Sequence, residues 1–390
     1  MGFLSFNKKN AHNVVLIDVS SASVRGAYAR IEEGKPPTIC YTAHISIEPQ
    51  TGTPEVATPL AGDMLRALEE LVGILQKEGA AALREATGSA HVKHVFVSIG
   101  APWQESNVRV ESFEKETPFV FTRALLEEAT KRNELPEGMV ESSEAVIATI
   151  LNGYESRQPL GKRVKHADLV ILSSMLNEEV MRSVEKTLRH AYHTHEVTIA
   201  AFAPVAFEIL RDQYPHQKDF LILDVAGTAT DIAVVKGGLL VDVKTIGNGV
   251  HDLLRAARTS GVTGTGLTGL GDGAGGIIDP ARNAQFASKV TEVQALWLEN
   301  LRAVLSDFSG RHPLPRTIFL LADTETRDFL KRLLDTDTLR SLWLSDVPFS
   351  IIPVLAEQFA GPVVTKPPAG GDAYIAMLAL YYVKRVAHSA

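Results

Sequence analysis

Asp219-Phe220-Leu221-Ile222-Leu223-Asp224-Val225-Ala226-Gly227-Thr228-Ala229-Thr230-Asp231-Ile232-Ala233-Val234-Val235 reads as an apolar strand, a turn of small residues and a returning apolar strand. Unbroken apolar runs of this length suit strands buried on both faces. From Val225 to Thr230 most side chains are small, which lets a ligand approach the backbone closely. A phosphate held at such a turn takes backbone N–H groups. A carboxylate at the same corner, here Asp224, suits a magnesium ion and its waters.

The pattern occurs twice. Val14-Val15-Leu16-Ile17-Asp18-Val19 is a buried strand, Ser20, Ser21 and Ser23 lie in a turn, and Val24 to Ile31 is the return strand before Gly34-Lys35-Pro36-Pro37. Either unit alone is also an ordinary hairpin with an aspartate at its corner. As an ordered pair about half a chain apart, they read as an internal duplication with a ligand between the halves.

At 390 residues the chain implies two or more domains. It is 45% hydrophobic and 22% charged, which fits a folded globular protein rather than disorder. A net charge of −7 without a basic stripe argues against a nucleic-acid partner. The single cysteine, Cys40, excludes an internal disulfide or cysteine metal cage and fits a reducing compartment. No apolar run approaches the roughly 18 residues of a membrane span. The opening residues read as neither a secretion signal nor a myristoylation site, Phe6 standing where the latter needs Ser or Thr. The cytoplasm is the expected location.

Between the turns, Leu60, Met64, Leu68, Leu71, Val72 and Leu75 mark a helix over 60–79, and Val95 to Ile99 a strand. Thr122 is placed to cap a helix, and Asp168 to Leu172 is a strand. A helix follows Ser173-Ser174, from about Asn177 to Tyr192. Later come the strand Thr317 to Leu321 and a closing apolar helix, Ala373 to Val383. Gly264-Thr265-Gly266-Leu267-Thr268-Gly269 spells a dinucleotide fingerprint, but it follows a helix-like stretch rather than a strand and reads as a loop. His190, His193 and His195 lack acidic or cysteine partners and read as surface residues at a helix end. Lys162, Arg163, Lys165 and His166 read as a solvated basic loop. Phe3, Leu4 and Phe6 before Lys8 and Lys9 read as a frayed terminus or a weak contact with a membrane surface.

The two turns resemble the phosphate-1 and phosphate-2 motifs of the actin, heat-shock-70 and sugar-kinase superfamily. Ser20, where most members carry Gly, is similar to the PilM branch, in which Lys is usual at the place of Arg25. Val95 to Gly100 and the helix after Thr122 resemble the inserted SHS2-type subdomain shared by PilM and FtsA. The resemblance implies an α/β, two-lobed, duplicated ribonuclease-H-like fold. The expected boundaries are 1–87 with 178–214 for the first lobe and 88–177 for the insertion. For the second lobe they are 215–245 with 311–390, and its subdomain is 246–310.

The resemblance also implies site residues. Asp18, Ser20, Ser21, Ser23 and Arg25 would meet one phosphate group, and Asp224, Gly227, Thr228, Thr230 and Asp231 another. Asp18 and Asp224 would hold magnesium through water, and Ala322 and Asp323 mark the adenosine region. Three departures imply that the ATP and magnesium site has degenerated. Ala226 and Thr228 replace glycines, Ala200 stands where relatives hold a water-orienting Glu, and Ala322-Asp323 replaces Gly-Gly.

The function so implied is a scaffold at the inner face of the cell membrane, binding the cytoplasmic tail of a membrane protein and self-associating. A type IV pilus platform role is favoured over FtsA-like division tethering, because the sequence stops at its closing helix without an amphipathic tail. An active ATPase or sugar kinase is the enzyme alternative. No residue can be assigned as its general base. The exposed-looking Trp103 and the alternating Ser106-Asn107-Val108-Arg109-Val110 make the insertion the expected docking surface, the alternative being that Trp103 packs inside the subdomain and the strand is already paired.

Overall fold

The computed structural model describes residues 11–49, 60–130, 135–156, 158–259, 280–311, 313–343 and 349–386. The apolar start at 3–9 and the glycine-rich 264–269 motif lie outside these residues. The chain divides into two compact units, one of residues 1–100, 180–213 and 354–390, the other of 101–179 and 214–353.

The first unit opens with β1 (Ala11–Val19), β2 (Ser23–Glu32) and β3 (Thr38–Ser46), an antiparallel meander in which Asp18 faces Arg25. Next come α1 (Leu60–Ile74), a π-helical turn, α2 (Ala80–Thr87) and β4 (His94–Ile99), which runs parallel to β1. The helical stretch thus extends beyond the expected residue 79. Its apolar stripe, Met64, Leu68, Leu71 and Leu75, is fully buried.

The second unit begins with the long strand β5 (Gln104–Val120), α3 (Arg123–Thr130), β6 (Met139–Leu151), β7 (Tyr154–Glu155) and β8 (Arg163–Asn177). These strands form a four-stranded sheet in the order β5-β8-β6-β7. Phe113, Phe121, Leu151, Leu169 and Ile171 pack beneath it with Ala129 of α3. The strand β8 runs on to Asn177, so Ser173 and Ser174 lie inside it rather than before a helix.

The chain then returns to the first unit through α4 (Glu178–Tyr192), β9 (Val197–Ala201) and α5 (Phe202–Gln213). In the second unit follow β10 (Phe220–Val225), β11 (Thr230–Lys236), β12 (Leu239–Ile246), α6 (Val250–Thr259), α7 (Pro280–Arg311) and β13 (Thr317–Leu321). It ends with α8 (Thr324–Leu334), α9 (Asp337–Arg340) and β14 (Ser350–Pro353). The last elements, β15 (Val364–Thr365) and α10 (Ala373–Tyr381), belong to the first unit.

The duplication is visible in the topology. Strand order is β3-β2-β1-β4-β9, with β15 added outside β3, in the first unit, and β12-β11-β10-β13-β14 in the second. In each, the first two strands are antiparallel, and a later strand joins the first in parallel.

Two boundaries differ from the sequence reading. Residues 94–99, expected in the insertion, form the strand beside β1, because all six of them are buried. Residues 354–390, expected in the second lobe, complete the first. Tyr381 stacks on Phe96 at 5.9 Å, and the Tyr382 hydroxyl meets His12 Nε2 at 3.1 Å and His94 Nδ1 at 3.2 Å.

Candidate functional site

At the first turn, the Ser20 N–H donates to the Ser23 carbonyl at 3.0 Å. The Ser20 Oγ accepts from the N–H groups of Ala22, at 3.2 Å, and Ser23, at 3.3 Å. Ser21 and Ser23 are fully buried, and the Ala22 carbonyl is taken by the Ile47 N–H at 2.7 Å. The residues at 20–23 therefore form a tight turn closed by its own hydroxyl.

Asp18 lies beneath this turn. Its Oδ1 accepts from Ser98 Oγ at 2.7 Å, and its Oδ2 from Arg25 Nη1 at 3.0 Å. Burial pushes the Asp18 carboxyl up from its ordinary value, against the pull of Arg25 and Ser98. Arg25 itself is buried, reaches Asp372 at 3.4 Å and lies 4.0 Å over the Tyr374 ring. Asp372 also caps α10, accepting from the Ile375 N–H at 3.0 Å.

The second turn repeats the first in backbone but not in side chains. Ala226 N–H donates to the Ala229 carbonyl at 3.0 Å, the counterpart of Ser20 and Ser23. Asp224 faces Asp231 in the ladder as Asp18 faces Arg25, so an acid stands where the first unit has a base. Thr228 is half-buried at the tip, and Gly227 is buried. The N–H groups opening α6 are directed at this turn, Val250 donating to the Ala226 carbonyl at 3.0 Å and His251 to the Gly227 carbonyl at 2.7 Å. Gly249 makes that approach possible. Thr230 Oγ1 donates to the Asn248 carbonyl at 2.8 Å and accepts from Trp297 Nε1 at 3.2 Å.

Asp231 is buried and accepts from Gln104 Nε2 and Thr245 Oγ1, both at 2.5 Å. Burial raises its carboxyl to about 6 from the model-peptide 3.8, against those two hydrogen bonds. The folded state holds this proton to higher pH than the unfolded chain does. Its stabilising contribution is complete below pH 3.8, falls as pH rises toward 6, and stays reduced above. Wild type should therefore lose up to about 3 kcal/mol across that window relative to Asp231→Asn. Denaturant melts of both proteins at pH 4.5 and 7.5 check this; parallel pH profiles would contradict it.

In the adenosine region, Ala322 is buried and Asp323 stands at the start of α8 with φ −59° and ψ 145°. Neither residue has a left-handed backbone, so the two that replace Gly-Gly sit in an ordinary strand-to-helix step. Ala200 pairs with Ser98 between β9 and β4. Trp103, which the sequence left open between an exposed anchor and a packed ring, is buried: it precedes β5, and its carbonyl accepts from the Asn177 N–H at 2.8 Å, closing the root of the insertion. The segment Ser106 to Val110 does lie in a sheet-edge strand, with Val110 57% exposed. Sequence reasoning missed Ser98, Asp372 and Tyr374 around Arg25, and Gly249, Thr245 and Gln104 around the second turn. Only Asp372, directly before an apolar helix, carried a local signal, that of an N-cap.

No protein-family profile matches the chain, and no curated protein matches it by sequence. Among solved structures it is similar to one from a PilM-PilN type IV pilus biogenesis complex, with 15% identity, 94% of this chain and 97% of that chain covered, and a TM-score of 0.59. A Bacteroides thetaiotaomicron protein with an actin-like ATPase fold and unknown function is 10% identical over 97% of this chain and 99% of that one, at TM-score 0.41. The ethanolamine utilization protein EutJ from Carboxydothermus hydrogenoformans is 11% identical over 95% and 89%, at 0.39. By its duplicated strand order, its paired turns and its likeness to the PilM structure, this chain has the actin-like ATPase fold.

Proposed function

We propose that this chain is an actin-like assembly protein that docks the cytoplasmic tail of a membrane protein, in a type IV pilus platform role, at the inner face of the membrane. The observation that carries the reading is the likeness to the PilM structure, which extends over 94% of the chain. The self-satisfied first turn supports a scaffold over an engine, since groups that would grip a phosphate already bond to one another. Among the described residues no helix is long and apolar enough to cross a membrane. In this reading the partner supplies the attachment to the membrane.

In this reading the docking surface lies along β5, a terminal strand of its four-stranded sheet that β12 approaches along part of its length. An extended peptide can add there as a further strand, gaining main-chain hydrogen bonds. Exposed Val110 offers it an apolar contact, while the bulge between Glu114 and Phe119, with Pro118, disrupts the far end of the strand.

The test is photo-crosslinking of the full chain with a PilN-type membrane protein from the same organism. A photoreactive residue at position 110 should capture the partner's cytoplasmic tail. The same residue at exposed Tyr154, on the opposite edge of that sheet, should not. Capture at neither position, or equally at both, would remove β5 as the surface.

A further inference from the structure

We propose that Arg25 stands in for the divalent cation at the first turn and Ser20 Oγ for the phosphate oxygen, so that Asp18 serves no metal. Magnesium needs a carboxylate oxygen, or waters resting on one, with open space for near-octahedral coordination. Asp18 is 1% exposed, one of its oxygens bound by the Ser98 hydroxyl and the other by the Arg25 guanidinium. A divalent ion brought to the same carboxylate would lie within about 5 Å of that guanidinium and meet repulsion of several times thermal energy.

Arg25 is also not free to withdraw. Asp18, Asp372 and the face of Tyr374 hold it from three sides, and a guanidinium does not lose its proton. The anion seat is closed by a separate group. A phosphate at this turn would need the N–H groups of Ala22 and Ser23, and both already donate to Ser20 Oγ.

The second unit supplies an internal comparison. Its turn keeps the same backbone bond, yet carries Ala226 at the place of Ser20 and Asp231 at the place of Arg25. Both substitutes are thus peculiar to the first turn and not a property of the repeated hairpin. The inference rests on reading this turn as the phosphate-1 position. It does not depend on the docking role, and the crosslinking result leaves it untouched.

Manganese(II), a spectroscopic substitute for magnesium, tests it on the full chain. Free manganese is followed by electron paramagnetic resonance during titration, with and without ATP, for wild type and Asp18→Asn. The expected curves agree within about threefold in affinity. A larger loss of affinity in Asp18→Asn would overturn the proposal. A second measurement needs no variant: iron(II) with ascorbate and peroxide cuts backbone beside a bound metal. Wild-type chain should yield no fragments ending between residues 16 and 25, and such fragments would equally overturn it.

Discussion

Arg25→Met is expected to cost about 3–5 kcal/mol of stability, the penalty of leaving a buried carboxylate without its counter-charge. The residue lies in β2 directly opposite Asp18, with the Asp18 carboxylate 3.0 Å from its guanidinium. Among the described residues, removing the guanidinium leaves the Asp18 carboxylate only the Ser98 hydroxyl, in a site that is 1% exposed. It also takes one contact from Asp372, at the start of α10. The double variant Asp18→Asn, Arg25→Met should recover at least half the loss, because neither buried charge then remains. Chemical denaturation of wild type, both single variants and the double variant provides the cycle. Additive losses would show that the pair is not coupled. Arg25→Lys should fall between, keeping a charge but losing the flat face over Tyr374.

Gly249→Ala is expected to destabilise the second unit by about 3 kcal/mol or more, although it adds one methyl group. A Cβ at this position would lie 2.4 Å from the Ala226 carbonyl oxygen and 2.5 Å from that of Gly227. Both obstacles are backbone, so no side chain can turn aside. The start of α6 would have to back away from the turn, lengthening the bonds from Val250 and His251 to those same carbonyls. Asn248 would move with it, and its carbonyl holds the Thr230 hydroxyl that accepts from the Trp297 indole. The indole N–H resonance of Trp297 is therefore a local reporter, to be read beside denaturant melts. A variant of wild-type stability with an unmoved Trp297 signal would refute the steric account. Gly247, two residues earlier, has open space at its Cβ position, and Gly247→Ala is the matched control.

The repeated hairpins were legible because their cause is local: apolar runs, small turn residues and an aspartate at each corner. From them followed the duplicated α/β architecture and the positions of Asp18 and Asp224. What escaped depends on neighbours distant in sequence. Nothing near Arg25 shows that its charge is absorbed by Asp372 and Tyr374, nearly a full chain length away. Trp103 stayed open between an anchor and a packed ring because Pro102-Trp103 carries no periodicity to tell an inward ring from an outward one. The insertion's start was placed early, at 88, since a mostly apolar strand such as Val95 to Ile99 suits either sheet by pattern alone. Gly249 reads in sequence as an ordinary turn residue before a helix, and only the fold shows which carbonyls it must approach.

The discontinuity of the first unit has a consequence for the order in which a nascent chain can mature. Its sheet is begun by residues 11–47, yet α10 and Tyr382, which cover β1, β4 and α5, emerge from the ribosome only after the whole second unit. Until they do, Phe96 and Phe202 lack the tyrosines they pack against, and Arg25 lacks Asp372 and the face of Tyr374. The second unit, complete by residue 353, meets no such delay. Synthesis therefore holds one apolar surface bare until the second unit is complete, and a ribosome stalled near residue 350 would display it to chaperones.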